Sequence, residues 1–268
     1  MRFPTDCRIF GFSHSRYRGC CLIAVMLLLA IAFMVPSASA QSVSEHQLFN
    51  SALMDSVHDG RVNYPAIAGD PDFSAYIDYL ANADINSLTN KQEQLAFWIN
   101  AYNALAIKGI LDGKSPSTFF GRIGYFKNAE YNVGGKSINL YDLERDVIIP
   151  LGEPRIHFAI VCASHSCPRL RSEAYTAKRL EAQLEANTRL FINDPDRNRF
   201  DRERKVAELS KIFDWFPEDF EKPAGSVLNY VADYVEDPEL AAELRNGEYK
   251  LKFLKYNWNL NGTPPKGS

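Results

Sequence analysis

The residues best suited to chemistry lie between Arg155 and Arg171, in the run RIHFAIVCASHSCPRLR. Cys162 and Cys167 bracket Ser164, His165 and Ser166, and His157 stands five positions before the first cysteine. Three chemistries compete for these residue types. A cysteine beside a base can act as a nucleophile, because the thiolate is the attacking species. Cys162 or Cys167 is then the candidate nucleophile and His157 the candidate base. On an extended strand their odd spacing sets His157 and Cys162 on opposite faces, so they pair only if the chain bends before Cys162. Metal binding could use His157, Cys162, His165 and Cys167, but the spacing H-x4-C-x2-H-x-C is not a usual zinc pattern. A disulfide between the two cysteines would close a short loop, stabilise by about 2 kcal/mol and end any nucleophilic role while oxidised.

A second constellation lies on the segment KQEQLAFWINAYNALAIKGILDG, residues 91–113. At 3.6 residues per turn Glu93 and Asn100 fall on nearly one face, with Asn103 almost one turn further on. Polar side chains on a buried helix are costly unless they find partners. They either brace neighbouring loops or line a pocket, where Asn100 or Asn103 would orient a substrate or an oxyanion. Ser164, Ser166 and Arg169 complete the candidate binding groups. Asp142 and Glu144 read as surface or capping groups, and Phe213-Asp214-Trp215-Phe216 reads as core. No Gly-rich phosphate loop, HExxH helix or GxSxG elbow is found, so no cofactor or metal is expected.

The elements that must position these groups follow from pattern. Apolar spacing predicts helices over 43–58, 72–82, 91–112, 140–149 and 176–193. The 91–112 helix starts after Asn90, stops near Gly113 and is apolar almost all round, the mark of a buried central helix. Residues 131–138 read as a hairpin turning at Gly134-Gly135, and 155–162 as a buried strand. Short strands are expected near 198–201 and 205–209, helices over 210–220, 226–235 and 237–246, and a last strand within 249–257. The expected fold is α+β and helix-rich, one domain over 41–268 with a central helix packed on a small, mostly antiparallel sheet. The tail Tyr256–Asn261 is read as a docking segment that covers the core.

The first forty residues read as an address. Arg2, Arg8, Arg16 and Arg18 face one acid, Asp6. The apolar run Cys21–Val35 follows, then Pro36 and the small-residue exit Ala38-Ser39-Ala40. This is the layout of a secretory signal peptide cleaved after Ala40. The apolar run is shorter than the roughly 20 residues of a membrane span. The expected location is periplasmic or secreted, with no stable span after signal removal. Of five cysteines, Cys162 and Cys167 alone remain after cleavage. The whole chain of 268 residues has 30 Lys+Arg against 33 Asp+Glu. Losing four arginines and one aspartate makes the remainder more acidic, which excludes a dedicated nucleic-acid binder. The expected partner is a small-molecule or peptide ligand.

The motifs resemble a known family. Phe97-Trp98-Ile99-Asn100-Ala101-Tyr102-Asn103 is similar to the FWINxYN signature of the domain of unknown function 547. Arg155–Ala159 running into Cys162-Ala163-Ser164 and Ser166-Cys167-Pro168-Arg169-Leu170 resembles a second motif. Leu209–Trp215 with Asp219-Phe220 resembles a third, and Tyr256–Asn261 a fourth, with Asn257 where the family pattern has Asp. Order and spacing agree from about residue 75 to 261. His165 is not part of the pattern. The arrangement is similar to papain-like and transglutaminase-like folds, in which a buried helix packs on a small sheet carrying a histidine, but the central helix here has no cysteine. Two functions follow as expectations: a thiol-dependent hydrolase or acyl/amide transferase outside the cytoplasm, or a non-catalytic binding module with a disulfide-locked pocket.

Overall fold

The computed structural model describes residues 38–265. Residues 1–37 of the expected signal segment lie outside the described residues, with Cys20 and Cys21 among them. Helix α1 (Ala38–Ser56) leads into a hairpin of β1 (Val57–His58) and β2 (Arg61–Asn63). Helix α2 (Tyr64–Ile67) and α3 (Pro71–Asn82) follow. The start of α3 is fixed by its sequence: the Asp70 carboxylate accepts from the backbone N–H of Asp72 and Phe73, and Pro71 occupies the first turn.

Helix α4 (Lys91–Leu111) is the centre of the molecule. Asn90 caps it by accepting from the Glu93 N–H, and Glu93 returns the favour at Thr89. From Leu95 to Ile110 nearly every side chain is buried. Gly109 is required there, because a Cβ would stand 2.6 Å from the Tyr131 hydroxyl and 2.9 Å from the Tyr125 ring. Around α4 lie α1–α3, a short helix α5 (Phe119–Ile123) with a wider turn over Gly124–Asn128, the hairpin β3 (Tyr131–Val133) and β4 (Lys136–Ile138), and α6 (Leu140–Asp142). The hairpin turns at Gly134 and Gly135, both with positive φ. After α6 the helix widens over Leu143–Ile148 into a π turn. That geometry sets Leu143 and Ile148, both fully buried, on one face.

A second apolar cluster is built on Phe158, Phe191, Phe213, Phe220 and Tyr230. It draws on α7 (Leu180–Ile192), α8 (Ile212–Trp215), α9 (Pro217–Ala224), α10 (Val227–Ala232) and α11 (Pro238–Arg245). The antiparallel pair β5 (Arg199–Asp201) and β6 (Val206–Leu209) and the strand β7 (Lys250–Phe253), parallel to β6, close this side. Tyr256 packs against both clusters, at their seam. The chain then returns to the first side, where β8 (Gly262–Thr263) runs parallel to β2.

The fold is α+β. Among the described residues its strands form three small sheets rather than one, with β2–β8 and β6–β7 parallel. Residues 155–162 are not a strand. Pro154–Phe158 is a 3-10 helix capped by the Glu153 carboxylate, and residues 159–162 beyond it have no strand partner. The backbone groups that a ladder would satisfy are met instead by a side chain. Asn103 donates from Nδ2 to the Ala159 carbonyl (3.0 Å) and accepts at Oδ1 from the Val161 N–H (2.8 Å). Asn100 does the same to both backbone groups of Tyr175, at 2.8 Å each. Each amide thus stands in for a neighbouring strand. Among the described residues no helix is long and apolar enough to cross a membrane.

These contacts predict a ranking of stability losses. Asn100→Ala or Asn103→Ala leaves two buried backbone groups unpaired and should cost about 2–4 kcal/mol. Glu93→Ala removes one exposed capping interaction and should cost about 1 kcal/mol. Urea denaturation of the three variants checks the order.

Candidate functional site

At the seam of the two clusters is a cavity of about 380 Å³. Its polar wall is made by Glu144, Arg145, His157, Cys162 and Cys167, its apolar wall by Phe126, Tyr141, Trp215, Phe216, Tyr256 and Trp258. Asn103 fixes the path of residues 159–161, and the chain then turns sharply at Ala163, whose φ of 60° is a left-handed conformation. The turn is held open by the tail. Ser166 N–H donates to the Asn257 carbonyl, its hydroxyl accepts from the Asn257 N–H, and His165 N–H donates to the Asn259 carbonyl. Arg197 spans the same turn from the outer side, donating to the carbonyls of His165 and Cys167.

That geometry brings the two thiols together. Cys162 N–H donates to Cys167 Sγ at 3.1 Å, and the Tyr256 hydroxyl lies 3.2 Å from Cys167 Sγ and 3.5 Å from Cys162 Sγ. Both cysteines are free thiols. Their acidities are driven apart. Burial pushes Cys167 up, but donors from Cys162, the Tyr256 hydroxyl and the loop backbone outweigh it and bring the thiol down to about 7. Cys162, which gives its hydrogen bond to Cys167 and is itself desolvated, is pushed well above the ordinary thiol range. One negative charge is favoured at this pair, on Cys167.

His157 lies on the same cavity but makes no hydrogen bond to either sulfur. Its Nε2 is 2.7 Å from Asp219 Oδ2, and its ring lies against Phe216 with centroids 4.1 Å apart. Burial lowers its pKa and Asp219 opposes the shift. A neutral ring donating Nε2–H to Asp219 keeps Nδ1 as an acceptor. Glu144 opens onto the cavity from the π turn, and desolvation, with Cys162 next, raises its pKa to about 8. It is therefore protonated at neutral pH, and it is not the surface or capping group that its sequence position suggested. Asp142 does take part in capping, through Asn139.

The other expected site residues are placed elsewhere. Glu93 is spent on the cap of α4, about two turns from Asn100 along the helix. Asn100 and Asn103 are buried and bound to backbone at both ends of the amide, and Asn100 Nδ2 also lies 3.3 Å from His46 Nδ1. Ser164 is 3.3 Å from Cys162 Sγ and Ser166 pins the tail, so both shape the turn. Arg169 reaches Asp194 at 3.4 Å and lines a second cleft, on the other side of Cys167 and Pro168, rather than this cavity. The sequence read Glu144 as a surface or capping group and Tyr256 as part of a docking tail, and gave Asp219 no role at the site. Of the tract expected to be core, Phe213 is buried while Trp215 and Phe216 line the cavity. The third and fourth resembling motifs contained Asp219 and Tyr256, but nothing in the sequence tied them to His157 and the cysteines.

Residues 85–192 match the family described as a protein of unknown function, DUF547. The span contains α4 with its two asparagines, Glu144, His157 and the cysteine turn. Asp219 and the tail that completes the cavity lie beyond it. No curated protein and no solved structure matches the chain.

Alkylation tests the division of acidity. The rate of Cys167 modification by iodoacetamide should inflect near pH 7, and Cys162 should react far more slowly. Tyr256→Phe removes a donor and should move that inflection upward. Peptide-resolved mass spectrometry across a pH series reads both.

Proposed function

We infer that the chain is an exported thiol-dependent hydrolase or acyl/amide transferase, with Cys167 as nucleophile. The observation that carries this reading is the Cys167 sulfur held by the Cys162 N–H and the Tyr256 hydroxyl in a cavity shared with Glu144 and the His157–Asp219 pair. Export rests on the signal-like first forty residues.

Cys167 thiolate attacks the acyl carbonyl, forming a C–S bond. As the sulfur loses its charge, the Cys162 N–H and Tyr256 O–H that served it are free to turn to the carbonyl oxygen bonded to it. Protonated Glu144 gives its proton to the leaving amine or alcohol as that bond breaks. Water, or an acceptor nucleophile, then gives its proton to the Glu144 carboxylate and attacks the thioester, and Cys167 leaves as thiolate. His157, oriented by Asp219, is the second base the cavity offers. Activity needs Cys167 ionised and Glu144 protonated, so kcat/KM should be bell-shaped with limbs near 7 and 8.

p-Nitrophenyl acetate tests the reading. The expected result is a burst of nitrophenol with one acetyl group on Cys167, absent in Cys167→Ala. In Glu144→Gln the acetylated form should persist, because the leaving group needs no acid while deacylation needs a base. No adduct, or one on another residue that survives Cys167→Ala, rejects it.

A second reading is supported by the two sulfurs sharing one hydroxyl: a binding module whose pocket is locked by a Cys162–Cys167 disulfide. Thiol titration of the exported protein before reduction separates them. Two free thiols favour the enzyme, and none favours the module.

A further inference from the structure

Beside the cavity mouth the surface changes character. Phe119 and Phe120 on α5 are 64% and 81% exposed, and Ile123 is 39% exposed. Cavity residues Tyr141 and Trp215 are also exposed, so five of the seven large apolar side chains exposed among the described residues stand on this face. Arg122 joins the two groups physically. Its guanidinium lies 5.8 Å from the Phe119 ring centre and 4.7 Å from that of Trp258 in the cavity wall.

The same face is positive. Residues 114–128, KSPSTFFGRIGYFKN, contain three cations and no acid, in a chain with an acidic excess. Lys127 sits 4.1 Å from the Tyr141 ring centre and Arg145 4.6 Å from that of Phe216. Arg122, Lys127 and Arg145 have no carboxylate at ion-pair distance among the described residues. They are held over aromatic faces, which leaves their charge unneutralised.

The segment is rigid in its display. Thr118 caps α5 through the Gly121 N–H, Gly121 packs so closely on the Ser115 carbonyl that a Cβ would stand 2.4 Å from it, and Tyr125 anchors the following turn by donating to the Ala106 carbonyl. The fold therefore holds two phenylalanines out in water. Exposed apolar patches of this kind mark interaction sites. The rings project from a short helix rather than lining a groove, and unpaired cations flank them. That combination suits a layer with apolar depth and anionic headgroups.

We propose that this face docks the protein on an anionic lipid bilayer, with Phe119 and Phe120 entering the headgroup–acyl boundary and Arg122, Lys127 and Arg145 meeting lipid phosphates. The cavity mouth then faces the membrane surface, and an amphiphile drawn from the outer layer reaches the aromatic wall without crossing water. Docking does not depend on the catalytic reading, since it requires neither thiol.

Vesicle sedimentation tests it directly. The full chain is expressed, and the exported product is mixed with vesicles of phosphatidylcholine alone or with phosphatidylglycerol added. It should sediment with the anionic vesicles, remain free with the neutral ones, and be released by salt. Phe119→Ser/Phe120→Ser and Arg122→Glu/Lys127→Glu, both surface changes whose thermal melts should match the parent, should each lower partitioning by more than about tenfold. The proposal fails if the parent protein stays in solution with anionic vesicles, if it binds both vesicle types equally, or if both variants sediment like the parent. It fails equally if the phenylalanines instead hold two copies together, seen as a dimer that Phe119→Ser/Phe120→Ser dissociates without any vesicle binding.

Discussion

The site depends on two side-chain amides acting as backbone. Asn100 and Asn103 project from the buried α4 and each completes both hydrogen bonds of a chain segment that has no sheet partner. A buried peptide group must be paired, and a strand is the usual way to pair it. Here the pairing comes from a helix, so the segment carrying His157 and Cys162 is tied to α4 without the flatness a sheet would impose. That freedom is what the cysteine turn uses. A ladder through residue 162 would forbid the left-handed Ala163, and with it the return of Cys167 to the Cys162 N–H.

The second constraint is charge. A low-dielectric cavity wall cannot hold several uncompensated negative groups, and Glu144, Cys162, Cys167 and Asp219 all lie in or behind it. The structure resolves this by placing the donors unequally. Cys167 receives those of Cys162 and Tyr256, Asp219 receives His157, and the Glu144 carboxyl receives none among the described residues. The outcome is one favoured thiolate, one thiol and one carboxylic acid, with desolvation the main cause of the upward shift at Glu144.

How much of this could be read beforehand depends on distance along the chain. The α4 boundaries follow from Asn90 and from an all-apolar cylinder, α3 and α11 from Asp-Pro starts, and the β3–β4 turn from two glycines. All are local signals. The strand expected over 155–162 failed because its apolar pattern was real but its partner was an asparagine nearly sixty residues upstream. Glu144 was misplaced by its residue type. It stands four residues from buried Leu140 and four from buried Ile148, so helical spacing alone sets it on the inner side, while its carboxyl argued for the surface. Asp219 required knowledge of a contact across sixty positions. The cysteines and His157 were legible as residue types, but their division into a thiol pair and a separate His–Asp pair was not.

The cavity and the α5 face share one kind of contact, a cation held over an aromatic ring. Arg122 and Arg145 each contact a ring of the cavity wall. If the aromatic wall served only to fill space, carboxylates would be the cheaper neutralising partners, and the chain has an excess of them. Instead acids are absent from residues 114–128, and the cations near the mouth keep their charge available to an incoming group. On the docking proposed above, an amphiphile suited to both features would carry an apolar body for the rings and a negative group for the guanidinium at the rim. The thiol pair lines the same cavity as those rings.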